Sequence, residues 1–196
     1  MIVAVVLSAG ESSRMGQPKA LLRVEGVSFI ENIVTALRSS KVGEIVVVLG
    51  HNADQLRSKI SHLPVTVIIN REYKEGQLSS LAAALRFLES KENVDGILLH
   101  LVDHPFLSPA LVDLMIDRFY ESKKLIIVPR HQGKRGHPVI FARSLFPELL
   151  AAPANLGAKT VVNAHRKDAL EIDTENEGVT IDIDTPEEYR RHVRGD

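Results

Sequence analysis

The amino-terminal segment constrains the fold more than any other part of the chain. Residues 2–7 form an uninterrupted apolar run, and the loop that follows carries two glycines, Gly10 and Gly16, and two cations, Arg14 and Lys19. So short a β-branched run without polar alternation predicts a strand buried on both faces, as in parallel sheets. A loop at the carboxyl end of such a strand can turn its N–H groups toward a polyanion while the cations neutralise it. We therefore expect a nucleoside triphosphate to bind here.

Two familiar phosphate-binding loops are excluded by the spacing. Gly10 and Gly16 are separated by five residues and Gln17 follows, which does not match the Gly-x-x-x-x-Gly-Lys-Ser/Thr pattern. The dinucleotide-binding pattern Gly-x-Gly-x-x-Gly is absent as well. The alternative is an ordinary strand-to-helix turn with solvated charges. The two cations at Arg14 and Lys19 favour the functional interpretation.

The rest of the chain alternates between short apolar runs and amphipathic segments. Further strands are predicted at residues 44–49, 65–69, 95–102, 125–129, 137–141, 170–173 and 179–183. Strands alternating with helices indicate right-handed βαβ units and a mainly parallel, Rossmann-like sheet. At 196 residues the chain is expected to form one three-layer αβα domain of the α/β class, spanning residues 1–196.

Local signals mark several element boundaries. Ser28 and Ser108 are predicted N-caps, and Thr185-Pro186-Glu187-Glu188 has the pattern of a helix start. The basic, glycine-bearing loop 130–136 lies between two predicted strands, so we expect a hairpin or an arm over one edge of the sheet.

Composition excludes several classes of function. The net charge of −1, the 5% aromatic content and the absence of Trp argue against nucleic-acid binding. The absence of cysteine excludes disulfides, thiolate zinc sites and cysteine nucleophiles. The first strand follows Met1 without a basic leader, and no apolar run approaches ~20 residues. A cytoplasmic protein without membrane contact is expected.

Polar residues follow several of the predicted strands, and carboxyl ends of parallel strands meet at one edge of a sheet. Asp103 follows the strand at 95–102 and precedes Pro105, which keeps the next residues extended. Mg²⁺ usually takes one or two protein carboxylates plus phosphates and water, so Asp103 is a candidate ligand. The alternative is a helix cap, but Ser108 before Pro109 is the better cap.

The loop sequence Leu7-Ser8-Ala9-Gly10-x-Ser12-x-Arg14-Met15-Gly16-x-x-Lys19 resembles the signature of nucleotide-diphospho-sugar-transferase-like nucleotidyltransferases, and among them the molybdenum cofactor cytidylyltransferase family. The resemblance implies that Arg14, Lys19 and Asp103 serve catalysis and that the loop wraps the triphosphate. A second segment after the strand at 65–69 would contact base and ribose. The implied nucleotide-binding residues are Leu7, Ser8, Ala9, Gly10, Ser12, Arg14, Gly16, Lys19, Asn70, Gln77, Ser79 and Ser80.

The same resemblance implies a two-aspartate metal site. Family members carry Asp-x-Pro where this chain has Asp103-His104-Pro105, and they end with an Asp-Thr-Pro-Glu segment like that at Asp184. Asp182 and Asp184 would point to one side of an extended segment, so spacing alone does not choose between them. The family pattern selects Asp184. A carboxylate that only caps the last helix is the alternative.

Acceptor binding is implied for Arg135, Gly136 and His137, within an Arg-Gly-His-Pro element. The chain departs from the family pattern at two places. Leu81-Ala82-Ala83 replaces a segment that often contains arginine, and Asn155 and Lys159 stand where relatives have aspartate and arginine. Lysine keeps the charge but loses bidentate phosphate geometry.

The implied activity is Mg²⁺-dependent transfer of a cytidylyl group from CTP to molybdopterin, with release of pyrophosphate and delivery of the product to a recipient molybdenum enzyme. Alternatives are a GTP donor, a sugar phosphate or methylerythritol phosphate acceptor, and a non-catalytic cofactor carrier. His100 and His104 around Asp103 raise a further alternative, a hydrolytic metal centre.

Overall fold

The computed structural model describes residues 1–154 and 156–194. Its centre is an eight-stranded sheet, with a separate two-stranded hairpin near the amino terminus. The strands are β1 Ile2–Ser8, β2 Arg23–Val24, β3 Val27–Ser28, β4 Glu44–Leu49, β5 Thr66–Ile69, β6 Gly96–Leu101, β7 Ile126–His131, β8 Lys134–Arg135, β9 Val139–Ala142 and β10 Ala169–Asp173.

The first strand lies inside this sheet, as its apolar sequence predicts. The lateral order is β10-β7-β9-β6-β1-β4-β5, and β8 pairs with β7. β1 is parallel to both of its neighbours, β4 and β6, and all seven of its residues are buried. β5 and β10 extend the parallel arrangement, whereas β8 and β9 run antiparallel to their partners. The predicted mainly parallel α/β sheet is confirmed.

Helices cover both faces of the sheet. α1 Phe29–Arg38, α2 Ala53–Lys59 and α4 Pro109–Ser122 pack with the alternate β1 side chains Ile2, Ala4 and Val6. α3 Gln77–Glu89, α5 Phe146–Ala151 and α6 Lys159–Ala164 pack with Val3, Val5 and Leu7. The two-residue side-chain period of a strand therefore divides the core into two apolar layers. The last α-helix is α7, Pro186–Tyr189.

The predicted helix starts are confirmed in their cap geometry. The Ser28 hydroxyl accepts a hydrogen bond from Glu31 N at 3.4 Å, and Glu31 reaches back to Ser28 N. Ser108 caps α4. Thr185 and Glu188 form the same reciprocal pair at α7, where Thr185 Oγ1 accepts from Glu188 N at 3.2 Å.

Of the two arrangements predicted for the strands on either side of residues 130–136, the hairpin is present, because β9 pairs antiparallel with β7. β9 also pairs with β6, so it lies inside the sheet and not over an edge, with all four of its residues apolar and buried. One detail of the predicted topology is wrong. The predicted strand at 179–183 is instead a 3-10 turn, Glu177–Thr180, followed by an extended segment. The backbone of this segment makes single hydrogen bonds to two separate parts of the chain and, among the described residues, no strand ladder. Val179 O accepts from His137 N at 2.8 Å, and Ile183 N donates to Asp103 O at 2.9 Å.

In the described part of the chain, every helix is too short or too polar to cross a membrane.

Candidate active site

A cavity of about 290 Å³ opens at the carboxyl ends of the central strands. It is bordered by the loop after β1, the end of β6, helix α2 and the start of α3. Most of the predicted nucleotide-binding residues line it: Leu7, Ser8, Ala9, Gly10, Ser12, Arg14, Lys19, Gln77 and Ser80. Both predicted metal ligands, Asp103 and Asp184, also line it. Segments far apart in the sequence thus share one concave surface.

The loop after β1 folds back on itself. Ser12 and Gly16 adopt left-handed backbone conformations, with φ of 51° and 67°, on either side of a short 3-10 turn. Lys19 N donates to Ser12 Oγ at 3.2 Å and closes the loop. This arrangement carries the Lys19 side chain into the cavity, where it is only 12% exposed.

Lys19 lies at the centre of an ionic cluster. Its ammonium donates to Asp103 Oδ2 at 3.2 Å and also to Asp184 Oδ1. Arg14 Nη2 donates to the other Asp184 oxygen at 2.6 Å. Burial alone would raise the pKa of Asp184, but hydrogen bonds and charges from Lys19 and Arg14 outweigh it and hold that pKa below its ordinary value. Two carboxylates and two cations therefore meet at one end of the cavity.

The donor set fits a divalent cation that arrives with a polyphosphate. Asp103 Oδ1 is buried without a hydrogen-bond partner, which leaves a carboxylate lone pair free for a ligand. Among residues 1–154 and 156–194, no group of three or more His, Cys, Asp or Glu side chains is arranged to hold a metal. Two carboxylates with phosphate and water oxygens suit Mg²⁺.

The lack of a three-ligand group among the described residues does not support the alternative of a hydrolytic metal centre at His100 and His104. The His100 Nε2 is hydrogen-bonded to His104 O at 2.9 Å.

The positions of the two carboxyl-terminal aspartates favour Asp184 as the candidate metal ligand, because Asp184 lines the cavity and Asp182 is exposed.

The second predicted nucleotide segment divides into two groups. Gln77 and Ser80 line the cavity. Asn70 is 6% exposed and is bonded to its neighbours: its Nδ2 donates to Ser79 Oγ at 2.8 Å and to Ser80 Oγ at 3.0 Å. Its Oδ1 accepts from Glu72 N at 3.0 Å. Asn70 and Ser79 therefore fasten the segment between β5 and α3.

The cavity wall contains one aromatic side chain that was not predicted from the sequence. Tyr73 lines the cavity, and its hydroxyl lies 3.3 Å from His51 Nδ1. Leu56 on α2 also lines it. The rule that ligands gather beyond the carboxyl ends of strands applies to the segments after β4 and β5, so it could have pointed to these residues.

The predicted acceptor residues lie outside the ionic cluster. The Arg135 guanidinium bonds to Glu171, with Nε to Oε1 at 2.6 Å. Gly136 packs so tightly that a Cβ there would meet Val179 O at 2.0 Å. At the second departure from the family pattern, Asn155 lies outside the described residues, and Lys159 is exposed at the start of α6.

His137 connects this segment to the residue that follows Asp103. Its ring centroid is 4.9 Å from that of His104, the residue after Asp103. Burial, and to a lesser degree the nearby His104, lowers the pKa of His137 to about 4. Burial also lowers the pKa of His104 and, further, that of His100. The histidines behind Asp103 are therefore neutral at physiological pH.

Curated relatives match this chain with modest identity. It is 27% identical to the molybdenum cofactor cytidylyltransferase of Escherichia coli, covering 96% of this chain and 93% of that protein. It is equally 27% identical to the nicotine blue oxidoreductase of Paenarthrobacter nicotinovorans, covering 97% and 95%. A 39% identical match to the bifunctional IPC transferase and DIPP synthase of Rubrobacter xylanophilus covers 52% of this chain but only 23% of that relative.

A solved structure shares the whole fold. The manganese complex of Rv0371c from Mycobacterium tuberculosis superimposes with a TM-score of 0.82 at 27% identity, covering 100% of this chain and 99% of that one. The family model of the MobA-like NTP transferase domain matches residues 4–169, which include the loop after β1 and Asp103. The chain therefore belongs to the MobA-like NTP transferase domain family.

Proposed function

We propose that this chain is a Mg²⁺-dependent cytidylyltransferase that transfers CMP from CTP to the terminal phosphate of a molybdopterin-type acceptor and releases pyrophosphate. The observation that carries the proposal is the contact of Lys19 with both Asp103 and Asp184 inside the loop-bordered cavity. Triphosphate transfer needs cations for the phosphates and carboxylates for a metal, and this cluster contains both.

The basic residues of the site are assigned to the triphosphate and the acidic residues to the metal. Lys19 and Arg14 bind the triphosphate, and the backbone N–H groups of the loop around Gly10, Ser12 and Gly16 surround the β- and γ-phosphates. Asp103 and Asp184 would hold Mg²⁺. When bound, the metal neutralises charge on the phosphates and helps pyrophosphate to leave.

The reaction needs little acid–base chemistry. An oxygen of the acceptor phosphate attacks the α-phosphorus, the bond from that phosphorus to the bridging oxygen of the β-phosphate breaks, and pyrophosphate leaves with the bonding electrons. The acceptor phosphate is already anionic, so no strong general base is required. Rate acceleration then comes from alignment of the two substrates and from charge stabilisation.

Cytosine is the proposed base because of the start of the loop. Ala9 occupies a position at which guanylyl-transferring relatives often have a second glycine, and its side chain is 6% exposed in the cavity wall. The added methyl group favours a smaller base. Arg135, Gly136 and His137 are proposed to contact the acceptor, and Arg135 would then exchange its partner Glu171 for a phosphate.

A nucleotide panel tests the proposal. The purified protein is incubated with Mg²⁺, a molybdopterin acceptor and CTP, GTP, UTP or ATP in turn, and pyrophosphate release is measured. Release with CTP that depends on acceptor is expected. Release with GTP alone assigns a guanylyl donor. CTP binding without release, given a competent acceptor, refutes catalysis and supports a carrier.

A further inference from the structure

Tyr73 and the ionic cluster line the same cavity but follow different strands. Asp103 follows β6 and Tyr73 follows β5, and the lateral order places β1 and β4 between those strands. Three strand spacings of about 4.8 Å separate the two strands by roughly 14 Å. A nucleotide whose phosphates bind at Lys19 would extend its base across β1 and β4, toward Tyr73.

The Tyr73 side chain is held in place from its stem to its hydroxyl. At the stem, Gly50 allows a close approach, because a Cβ at that position would lie 2.5 Å from Tyr73 Cβ and 2.8 Å from Ala9 Cβ. At the tip, the hydroxyl lies 3.3 Å from His51 Nδ1, and the rings meet edge-on with centroids 5.9 Å apart. His51 N in turn donates to Ala9 O at 3.0 Å.

The backbone that carries Tyr73 is equally fixed. Tyr73 begins a short 3-10 turn directly after Glu72. Glu72 N donates to Asn70 Oδ1 at 3.0 Å, and Glu72 O accepts from Ser79 Oγ at 2.9 Å. Asn70 also bonds to Ser79 and Ser80 at the start of α3. A half-buried aromatic ring anchored on both sides at a cavity wall is suited to contact with a flat base.

From this geometry we infer that Tyr73 contacts the nucleobase and that Asn70 is the positioning residue that fixes it. The inference rests on the proposed function, since it presumes a nucleotide with its phosphates at Lys19. In this arrangement Asn70 and Ser79 support the residue that contacts the base and do not contact the base themselves. Ala9 and Tyr73 then border the base together, because both pack against Gly50.

Fluorine NMR of protein labelled with fluorotyrosine tests the inference directly. The chain contains three tyrosines, so three resonances are expected, and Tyr73→Phe assigns one of them. Tyr120 is the internal control, because its hydroxyl bonds to Asp95 at 2.8 Å before the amino end of β6. Saturating CTP with Mg²⁺ should shift the Tyr73 resonance, whereas inorganic tripolyphosphate with Mg²⁺ should leave it in place.

The two ligands separate the possible failures. If the Tyr73 resonance does not shift with CTP, or shifts equally with tripolyphosphate, the inference that Tyr73 contacts the base is overturned, while the proposed phosphate binding is not affected. Absence of any binding by either ligand, judged from thermal stabilisation, would overturn the proposed function itself. In kinetics, Tyr73→Ala should raise the KM for CTP by roughly 5- to 100-fold with kcat nearly unchanged, because one base–aromatic contact is lost. Tyr120→Phe removes a tyrosine hydroxyl outside the cavity lining and should leave the KM for CTP near the wild-type value.

Discussion

The Lys19 ammonium lies 3.2 Å from Asp103 Oδ2 and simultaneously contacts Asp184. This lysine neutralises both carboxylates that are proposed to hold the metal. A divalent cation and the ammonium therefore compete for the same two carboxylates. A triphosphate offers the lysine other partners, and its arrival would release the carboxylates.

Lys19→Met should have opposite effects on metal binding and on turnover. Without the ammonium, the carboxylates repel each other, so Mn²⁺ should bind the nucleotide-free variant about tenfold more tightly or better. Turnover should fall by about 10²-fold or more, because a cation is missing from the transition state. Electron paramagnetic resonance titration with Mn²⁺ measures the first effect. Lys41→Met, which removes a surface pair with Asp117, is the control, and equal affinities in all three proteins would contradict the competition.

The two neighbouring aspartates offer a matched pair for the metal site. Asp184→Asn removes a carboxylate that lines the cavity and should raise the Mg²⁺ concentration needed for half-maximal pyrophosphate release. Asp182→Asn changes an exposed side chain and should leave the Mg²⁺ dependence unchanged. The reverse pattern would move the metal ligand from Asp184 to Asp182.

Asn70→Ala should lower the free energy of unfolding by roughly 2 kcal/mol, since the variant strands a buried Ser80 hydroxyl and the Glu72 N–H. Urea denaturation at neutral pH measures the change. Asn163→Ala, at an exposed position of α6, should change stability by less than about 0.5 kcal/mol. Similar stabilities for the two variants would mean that the Asn70 bonds contribute little.

Acid should destabilise the protein through His137. Its pKa is about 4 in the folded chain, below the ordinary value of 6.5, so the unfolded chain takes up a proton first as the pH falls. Stability is then complete above about pH 6.5 and declines toward pH 4, by at most about 1.4 kcal/mol per pH unit.

His137→Gln should therefore reduce the loss of unfolding free energy between pH 7 and pH 5 by about 2 kcal/mol, as measured by urea denaturation at both values. Comparing two pH values within one variant cancels any general effect of the substitution. The exposed His192 supplies the control, because His192→Gln should leave the pH dependence as it is. An unchanged slope for His137→Gln would show that this imidazole titrates normally.

Three kinds of feature were readable in the sequence. The β1 run, the caps at Ser28 and Thr185, and the meeting of Lys19 with Asp103 follow from hydrophobic period, cap chemistry and the carboxyl-end rule. The antiparallel pairing of β9 with β7 follows from the glycine-bearing loop between them, but the pairing of β9 with β6 was not readable in this way, because several apolar runs were available as partners. Tyr73 was missed for a related reason: its place in the wall depends on Gly50 and His51, which belong to another strand connection.

The ionic cluster joins residues 84 and 165 positions apart in the chain. The last strand of the sheet ends at Asp173, eleven residues before Asp184, so the whole sheet is complete before the second carboxylate is reached. A product shortened to residue 175 would keep every strand but would lose the buried side chains of Val179 and Ile183 from one apolar layer, and it would leave Lys19 with one acidic partner. The strands of the sheet and the second carboxylate of the cluster are therefore encoded in different parts of this polypeptide, and a complete sheet is no proof of a complete active site.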